Sequence, residues 1–127
     1  MAAANRSRIV VALVDDMFFG SKIRGAAEQA GTQVKFVKSA ADLEALDFGL
    51  PAMIVLDLNS QKLDPIGAIE QLKSHPQLRT VPIIGFLSHI QVDLKQRAEA
   101  AGCDRVMPRS AFSLNLPDLM AGNSFEF

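Results

Sequence analysis

Residues 53–65, MIVLDLNSQKLDP, pass directly from an apolar run to a carboxylate. Four apolar residues at 53–56 lead into Asp57, and polar side chains follow at Asn59 and Ser60. A run that is apolar throughout is typical of a strand covered on both faces, as in a parallel sheet. Two interpretations of Asp57 are open: the strand ends where the chain meets water, or the carboxylate lies at the mouth of a pocket and does chemistry there.

Four further segments have the pattern of strands, and segments of helical period separate them. The strand patterns are IVVALV at 9–14, QVKFVKS at 33–39, VPIIGFLS at 81–88 and DRVMP at 104–108. Helical spacing follows at 17–31, 39–46, 65–75 and 90–102, with helix-ending glycines at Gly31 and Gly102. This alternation predicts an α/β fold with a five-stranded parallel sheet and helices on both faces. The last helix is expected to be short, because Pro117 must lie within its first turn.

The composition excludes several classes of function. The chain has 127 residues, with 13 basic and 14 acidic side chains and a formal net charge of −1. We expect one domain with an ordered core at about residues 8–121 and no effector domain. The balanced charge predicts no direct binding to nucleic acid or to an anionic membrane, and no segment is apolar enough for a membrane span. The lone Cys103 forms neither an internal disulfide nor a cysteine metal site, which fits a cytoplasmic location.

Acidic side chains follow two of the predicted strands. The first strand ends in Asp15 and Asp16, and the third ends in Asp57. A single Asp after a strand commonly caps a helix or begins a turn. Ligands of open α/β sheets, however, bind outside the carboxyl ends of the strands, and neighbouring first and third strands bring these three acids together. Close like charges require a proton or a cation, and Mg²⁺ is the natural candidate for carboxylate oxygens.

These residues carry a resemblance to bacterial response-regulator receiver domains over almost the whole chain. The match lies in LVDD at 13–16, IVLDLN at 54–59, LDP at 63–65 and AAGCDRVMPRS at 100–110. The resemblance implies a flavodoxin-like sheet of order 2-1-3-4-5 and a phosphoryl group accepted by Asp57 from a histidine kinase or phosphotransfer protein. It also implies a Mg²⁺ site made by Asp15, Asp16, Asp57 and the backbone carbonyl of Asn59, in which Asp16 binds the ion directly and Asp15 mainly through water.

Departures from the receiver pattern at Leu87, Val106 and Arg109 lie on the side that would transmit the signal. Leu87 stands where the family has Ser or Thr, and Ser88 follows it, able to serve only if the strand shifts by one residue. Val106 stands where many receivers have an aromatic residue. Arg109 replaces the family's lysine, and three roles are open for it: pairing with Asp57, holding a phosphate with both arms, or lying solvated on the surface.

The sequence therefore predicts an atypical receiver of a two-component or phosphorelay pathway, which is not an enzyme and passes its signal to a downstream protein. The alternative is a pseudo-receiver, a protein-interaction module that works without phosphorylation. An aspartate-dependent phosphatase needs a second acid two residues after its nucleophile, where this chain has Asn59. A flavin carrier is disfavoured because the chain has no Trp or Tyr. His89 is interpreted as a surface residue at a helix start.

Overall fold

A computed structural model describes residues 8–45, 49–88 and 91–123 of the chain. The predictions that concern the first seven residues, His89 and Ile90 lie outside the described residues.

Within the described residues, five strands form one sheet in which every neighbouring pair is parallel. Their order is β2-β1-β3-β4-β5, so the order implied by the receiver resemblance is confirmed. The strands are β1 Ile9–Leu13, β2 Gln33–Phe36, β3 Met53–Asp57, β4 Ile83–Leu87 and β5 Arg105–Pro108. The acids after β1 and β3 therefore lie at the same edge of the sheet, because these two strands are direct neighbours.

Five α-helices connect or follow the strands in the described part of the chain. They are α1 Met17–Ala30, α2 Ala40–Glu44, α3 Pro65–Ser74, α4 Val92–Ala101 and α5 Arg109–Ala121, with a short 3₁₀ turn at Leu78–Thr80. Gly31 and Gly102 end α1 and α4 in the left-handed conformation that favours glycine, as predicted. None of these helices has the length and apolar character needed to cross a membrane.

Apolar side chains bury both faces of the sheet. One cluster packs β-strand residues against α1 and α5, and the other packs them against α2, α3 and α4. Along β3 the side chains alternate: Met53 and Val55 belong to the α1/α5 cluster, and Ile54 and Leu56 belong to the opposite cluster. The same alternation directs Asp57, the next residue, toward the α1/α5 face.

The expectation of a short last helix was wrong. Helix α5 has 13 residues, and Pro117 lies inside it and not in its first turn. Proline in a helix interior costs about 3 kcal/mol, since it removes one hydrogen bond and crowds the preceding turn. The helix nevertheless buries four large apolar residues against the sheet, each contributing roughly 1.5–3 kcal/mol, while Pro117 itself faces solvent. The buried residues are Phe112, Leu116, Leu119 and Met120.

Candidate functional site

Asp57 lies at the carboxyl end of β3, the middle strand of the sheet. Asp57 is only 3% exposed, and it is one of two polar or charged residues that are buried in the described part of the chain. Its Oδ1 accepts a hydrogen bond of 2.9 Å from the backbone N–H of Asn59. In the parallel register Asp57 is the partner of Phe86 on β4, so an aromatic residue stands beside the carboxylate.

The pKa of Asp57 is raised above its ordinary value, and neighbouring charged groups contribute to the shift. Burial is the largest cause and disfavours the ionised form. The Asn59 N–H and the Arg109 guanidinium lower the pKa, whereas the Asp15 and Asp16 carboxylates raise it. Two of the acids predicted from the sequence, Asp15 and Asp16, therefore lie close enough to act electrostatically on the third, Asp57.

Asp16 is the N-cap of α1. Its Oδ1 accepts hydrogen bonds from the backbone N–H groups of Phe18 and Phe19, at 2.9 and 3.1 Å. Its Oδ2 lies 3.5 Å from Nη2 of Arg109. Asp16 thus fulfils the structural role that a lone Asp after a strand commonly has, and it also turns one oxygen toward the site. Asp15 is exposed to solvent beside it.

Arg109 lies between the two acids. Its Nη2 is 3.5 Å from Oδ2 of Asp16 and also 3.5 Å from Oδ2 of Asp57. Its Nε is buried and has no hydrogen-bond partner among the described residues. Of the three roles that the sequence left open, pairing with Asp57 is the one that the geometry displays, and a solvated surface position is wrong.

An aromatic stack positions the Arg109 guanidinium. The guanidinium carbon lies 4.8 Å from the ring centre of Phe19 and 5.9 Å from that of Phe86, which are cation–π distances. Phe86 stacks in turn on Phe19 at 4.9 Å and on Phe112 at 4.5 Å. Because these rings come from α1, β4 and α5, three elements of the fold jointly fix where the positive charge of Arg109 lies.

The two apolar residues that depart from the receiver pattern in β4 and β5 are buried in the core. Leu87 is 2% exposed and Val106 is 8% exposed, and both belong to the cluster that faces α2, α3 and α4. Neither carries a polar group that can bind a phosphoryl oxygen. β4 ends at Leu87, and Ser88 follows it as an exposed residue.

The side chain of Asn59 joins the two loops that flank the site, a contact that sequence reasoning missed. Its Oδ1 accepts a hydrogen bond of 2.6 Å from the backbone N–H of Ser88. Its Nδ2 donates one of 2.8 Å to Oε1 of Gln91, the N-cap residue of α4. The only sequence signal was a pair of amides following two neighbouring strands. The role of the Asn59 backbone carbonyl stays a prediction.

The oxygen atoms at this edge suit a hard divalent cation, but their present arrangement does not form a closed site for one. Among residues 8–45, 49–88 and 91–123, no group of three or more His, Cys, Asp or Glu side chains is placed to hold a metal ion. Oδ2 of Asp16 and Oδ2 of Asp57 both face Arg109. A positive charge therefore already lies beside the carboxylates that the sequence assigned to Mg²⁺.

Comparisons with known proteins identify the fold. No protein-family model and no curated protein matches the chain. Solved structures do match: a response regulator from Hahella chejuensis shares 17% identity over 90% of this chain and 92% of its own, with a TM-score of 0.77. A phosphorylated cyanobacterial phytochrome response regulator shares 20% identity over 91% and 89%, with a TM-score of 0.73. A response regulator in its Mn²⁺-bound form shares 13% identity over 91% and 90%, with a TM-score of 0.70.

These matches and the strand order define the class of the domain: it is an α/β domain of the flavodoxin-like type. Within that class, the chain has the fold of a response-regulator receiver domain.

Proposed function

We propose that this chain is a signalling receiver domain in which Asp57 accepts a phosphoryl group from a histidine kinase or a phosphotransfer protein. The observation that carries the proposal is the placement of Asp57 at the end of the central strand, within electrostatic reach of Asp15, Asp16 and Arg109. In this proposal the domain works in the cytoplasm, has no turnover of its own and passes its state to a downstream protein by contact.

The two oxygens of Asp57 have different tasks in this reaction. Oδ1 is held by the Asn59 N–H, which leaves Oδ2 as the attacking atom. Oδ2 of the ionised carboxylate forms a bond to phosphorus, the phosphorus–nitrogen bond of the donor phosphohistidine breaks, and the imidazole nitrogen takes up a proton. Arg109 lies beside Oδ2, and its guanidinium can neutralise oxygens of the arriving phosphoryl group.

Asp15, Asp16, Asp57 and the carbonyl of Asn59 are the groups that would hold Mg²⁺. The ion, when bound, supplies charge neutralisation on the transferring phosphoryl oxygens. The Mn²⁺-bound response regulator supports a divalent cation in domains of this fold. The chemistry of the four oxygen donors supports the same assignment here.

Intact-mass spectrometry tests this function directly. The native chain is incubated with Mg²⁺ and acetyl phosphate beside the Asp57→Asn variant. The Asp64→Asn variant is the matched control, since Asp64 is an exposed acid that caps α3. We expect a mass increase of one phosphoryl group on the native chain and on the control, and none on Asp57→Asn. An adduct that persists in Asp57→Asn, or no adduct on any chain, would reject Asp57 as the acceptor.

A second candidate, a protein-interaction module that works without phosphorylation, is favoured by the position of Arg109. Arg109 already pairs with Asp57 and offsets part of the negative charge of the site without phosphate. This candidate predicts that the affinity for a protein partner is the same for the native chain and for Asp57→Asn. The phosphoacceptor function predicts that the phosphodonor changes that affinity on the native chain alone.

A further inference from the structure

The side chain of Gln91 makes a contact that the formation of its own helix does not require. Gln91 is the N-cap residue of α4, and its side chain makes no capping hydrogen bond to that helix. Ser, Thr, Asn and Asp usually occupy an N-cap, because their short side chains reach the N–H groups of the first turn. Oε1 of Gln91 accepts a hydrogen bond of 2.8 Å from Nδ2 of Asn59, which lies 32 positions earlier in the chain. The side chain therefore contacts the site and not its own helix.

The donors and acceptors around the Asn59 amide fix its orientation. The backbone N–H of Ser88 can only donate, so the Asn59 atom that lies 2.6 Å from it is the carbonyl oxygen Oδ1. Nδ2 then faces Gln91, and a group that bonds Nδ2 has to be an acceptor. Both ends of the Asn59 amide are therefore held, one by the backbone that follows β4 and the other by the side chain of Gln91.

The position of Asn59 matters because the same residue holds Asp57. The backbone N–H of Asn59 donates a hydrogen bond of 2.9 Å to Oδ1 of Asp57. The carboxylate of an Asp turns easily about its last side-chain bond, so this hydrogen bond determines which oxygen is left for reaction. A displacement of about 1 Å at a reacting group can slow a reaction roughly a hundredfold. A fixed Asn59 therefore keeps Oδ2 of Asp57 in place for attack.

We propose that Gln91 is a positioning residue for Asp57 that acts through Asn59. Its Oε1 fixes the Asn59 amide, and Asn59 holds Oδ1 of Asp57 so that Oδ2 is presented to the phosphoryl donor. The inference rests on the proposed role of Asp57 as the phosphoacceptor. It explains why the start of α4 has a glutamine whose side chain does not cap the helix.

Hydrogen exchange of the Asn59 backbone N–H, measured by NMR, tests the contact. Gln91→Met removes the acceptor and keeps the length of the side chain. The control, Gln96→Met, makes the same substitution at an exposed glutamine of α4. We expect the Asn59 N–H to exchange about three- to tenfold faster in Gln91→Met, since one hydrogen bond that restrains the residue is lost. The control should exchange at the native rate.

The conservative variant Gln91→Glu keeps an acceptor for Nδ2 of Asn59. Its Asn59 N–H should therefore exchange at the native rate. Equal exchange in the native chain and Gln91→Met would overturn the inference. Exchange in Gln91→Glu as fast as in Gln91→Met would also overturn it, because the acceptor would then not be what holds Asn59.

The variant Gln91→Ser separates positioning from stability. Serine is a favourable N-cap residue, but its side chain is too short to reach Asn59. We expect a melting temperature at or above the native value, together with faster exchange of the Asn59 N–H. Phosphoryl incorporation from acetyl phosphate and Mg²⁺ should be about three- to tenfold slower. Native exchange and a native rate of incorporation in Gln91→Ser would overturn the inference, since a purely structural residue leaves the rate to follow stability.

A measurement on the native chain does not depend on any variant. A nuclear Overhauser contact should join the Nδ2–H protons of Asn59 to the γ-methylene of Gln91, and its absence would overturn the inference. The failures of the two proposals are distinguishable. A phosphoryl adduct on the native chain with equal Asn59 exchange in Gln91→Met rejects the positioning role alone. Faster exchange in Gln91→Met, without an adduct on the native chain, rejects only the phosphoacceptor role.

Discussion

A double-mutant cycle between Arg109 and Asp57 measures the contact on which the account of the site depends. Arg109→Met removes the charge and keeps a flexible apolar stem over the phenylalanine stack, and Asp57→Asn removes the negative charge with little change in shape. The four chains are the native protein, the two single variants and the double variant. Their free energies of unfolding give the coupling energy between the two side chains.

The expected size of the coupling follows from the geometry. Two unit charges 3.5 Å apart attract by about 5 kcal/mol at an effective dielectric constant of 20. The side chain of Arg109 is 30% exposed, so solvent screening and the cost of dehydrating both groups reduce this figure. We therefore expect a coupling energy of about 1–2 kcal/mol.

The single variant Arg109→Met should lose more than the coupling alone. Its cation–π contact with Phe19 contributes about 0.5–1 kcal/mol and disappears as well. The total destabilisation of Arg109→Met should be roughly 2–3 kcal/mol in the native background and about 1 kcal/mol in the Asp57→Asn background. Urea denaturation at neutral pH, followed by circular dichroism, gives these values. A coupling energy of zero within error, or one that disfavours the pair, would refute the assignment of Arg109 as counter-charge.

Three further predictions concern the pH response and two buried positions. The pKa of Asp57 is raised in the folded state. The stability that comes from protonating Asp57 is therefore fully present below the unfolded pKa of about 3.9. This stability is lost as the pH rises through the folded-state pKa. The native chain should thus gain stability relative to Asp57→Asn on acidification, as measured by urea denaturation at a series of pH values. A difference in unfolding free energy that instead shrinks as the pH falls would contradict this. Leu87→Thr introduces the hydroxyl that the family has at this position, but it removes volume from a core site that is 2% exposed. It should lower the free energy of unfolding by roughly 1–3 kcal/mol in urea denaturation. An unchanged midpoint would mean that residue 87 is not part of the core. A Cβ at Gly85 would lie 2.9 Å from Cδ1 of Leu58. Gly85→Ala should therefore lower the free energy of unfolding by about 1–3 kcal/mol. An unchanged melting temperature in a thermal scan would mean that Leu58 moves aside freely.

The acids of the site were predictable from sequence because chain order and strand order impose their position. A parallel sheet brings the carboxyl ends of neighbouring strands to one edge, so Asp15, Asp16 and Asp57 had to approach one another once β1 and β3 were neighbours. The strands themselves were evident from apolar runs bounded by turn residues. The helix ends at Gly31 and Gly102 followed from glycine's access to positive φ, which is 72° and 119° at these residues.

The position of Arg109 was not predictable in this way. Its guanidinium is oriented by Phe19 and Phe86, which are separated from it by many residues and belong to different elements. Short-range patterns carry no information about such a contact, so three roles remained open for the arginine. The bridge from Asn59 to Ser88 and Gln91 eluded sequence reasoning for the same reason.

The length of α5 was mispredicted because a local rule was applied without its tertiary context. Proline is unfavourable inside a helix, and this led to a helix that began only near Pro117. The sheet provides a large apolar surface for Phe112, Leu116 and Met120, and this burial outweighs the lost hydrogen bond.

Anomalous diffraction from crystals soaked in Mn²⁺ examines the central claim most directly, namely that Asp15, Asp16 and Asp57 converge at one acidic edge of the sheet that holds a divalent cation. The account predicts a manganese peak among the oxygens of Asp15, Asp16 and Asp57. A manganese peak elsewhere on the molecule, or the absence of any peak at saturating Mn²⁺, would contradict it.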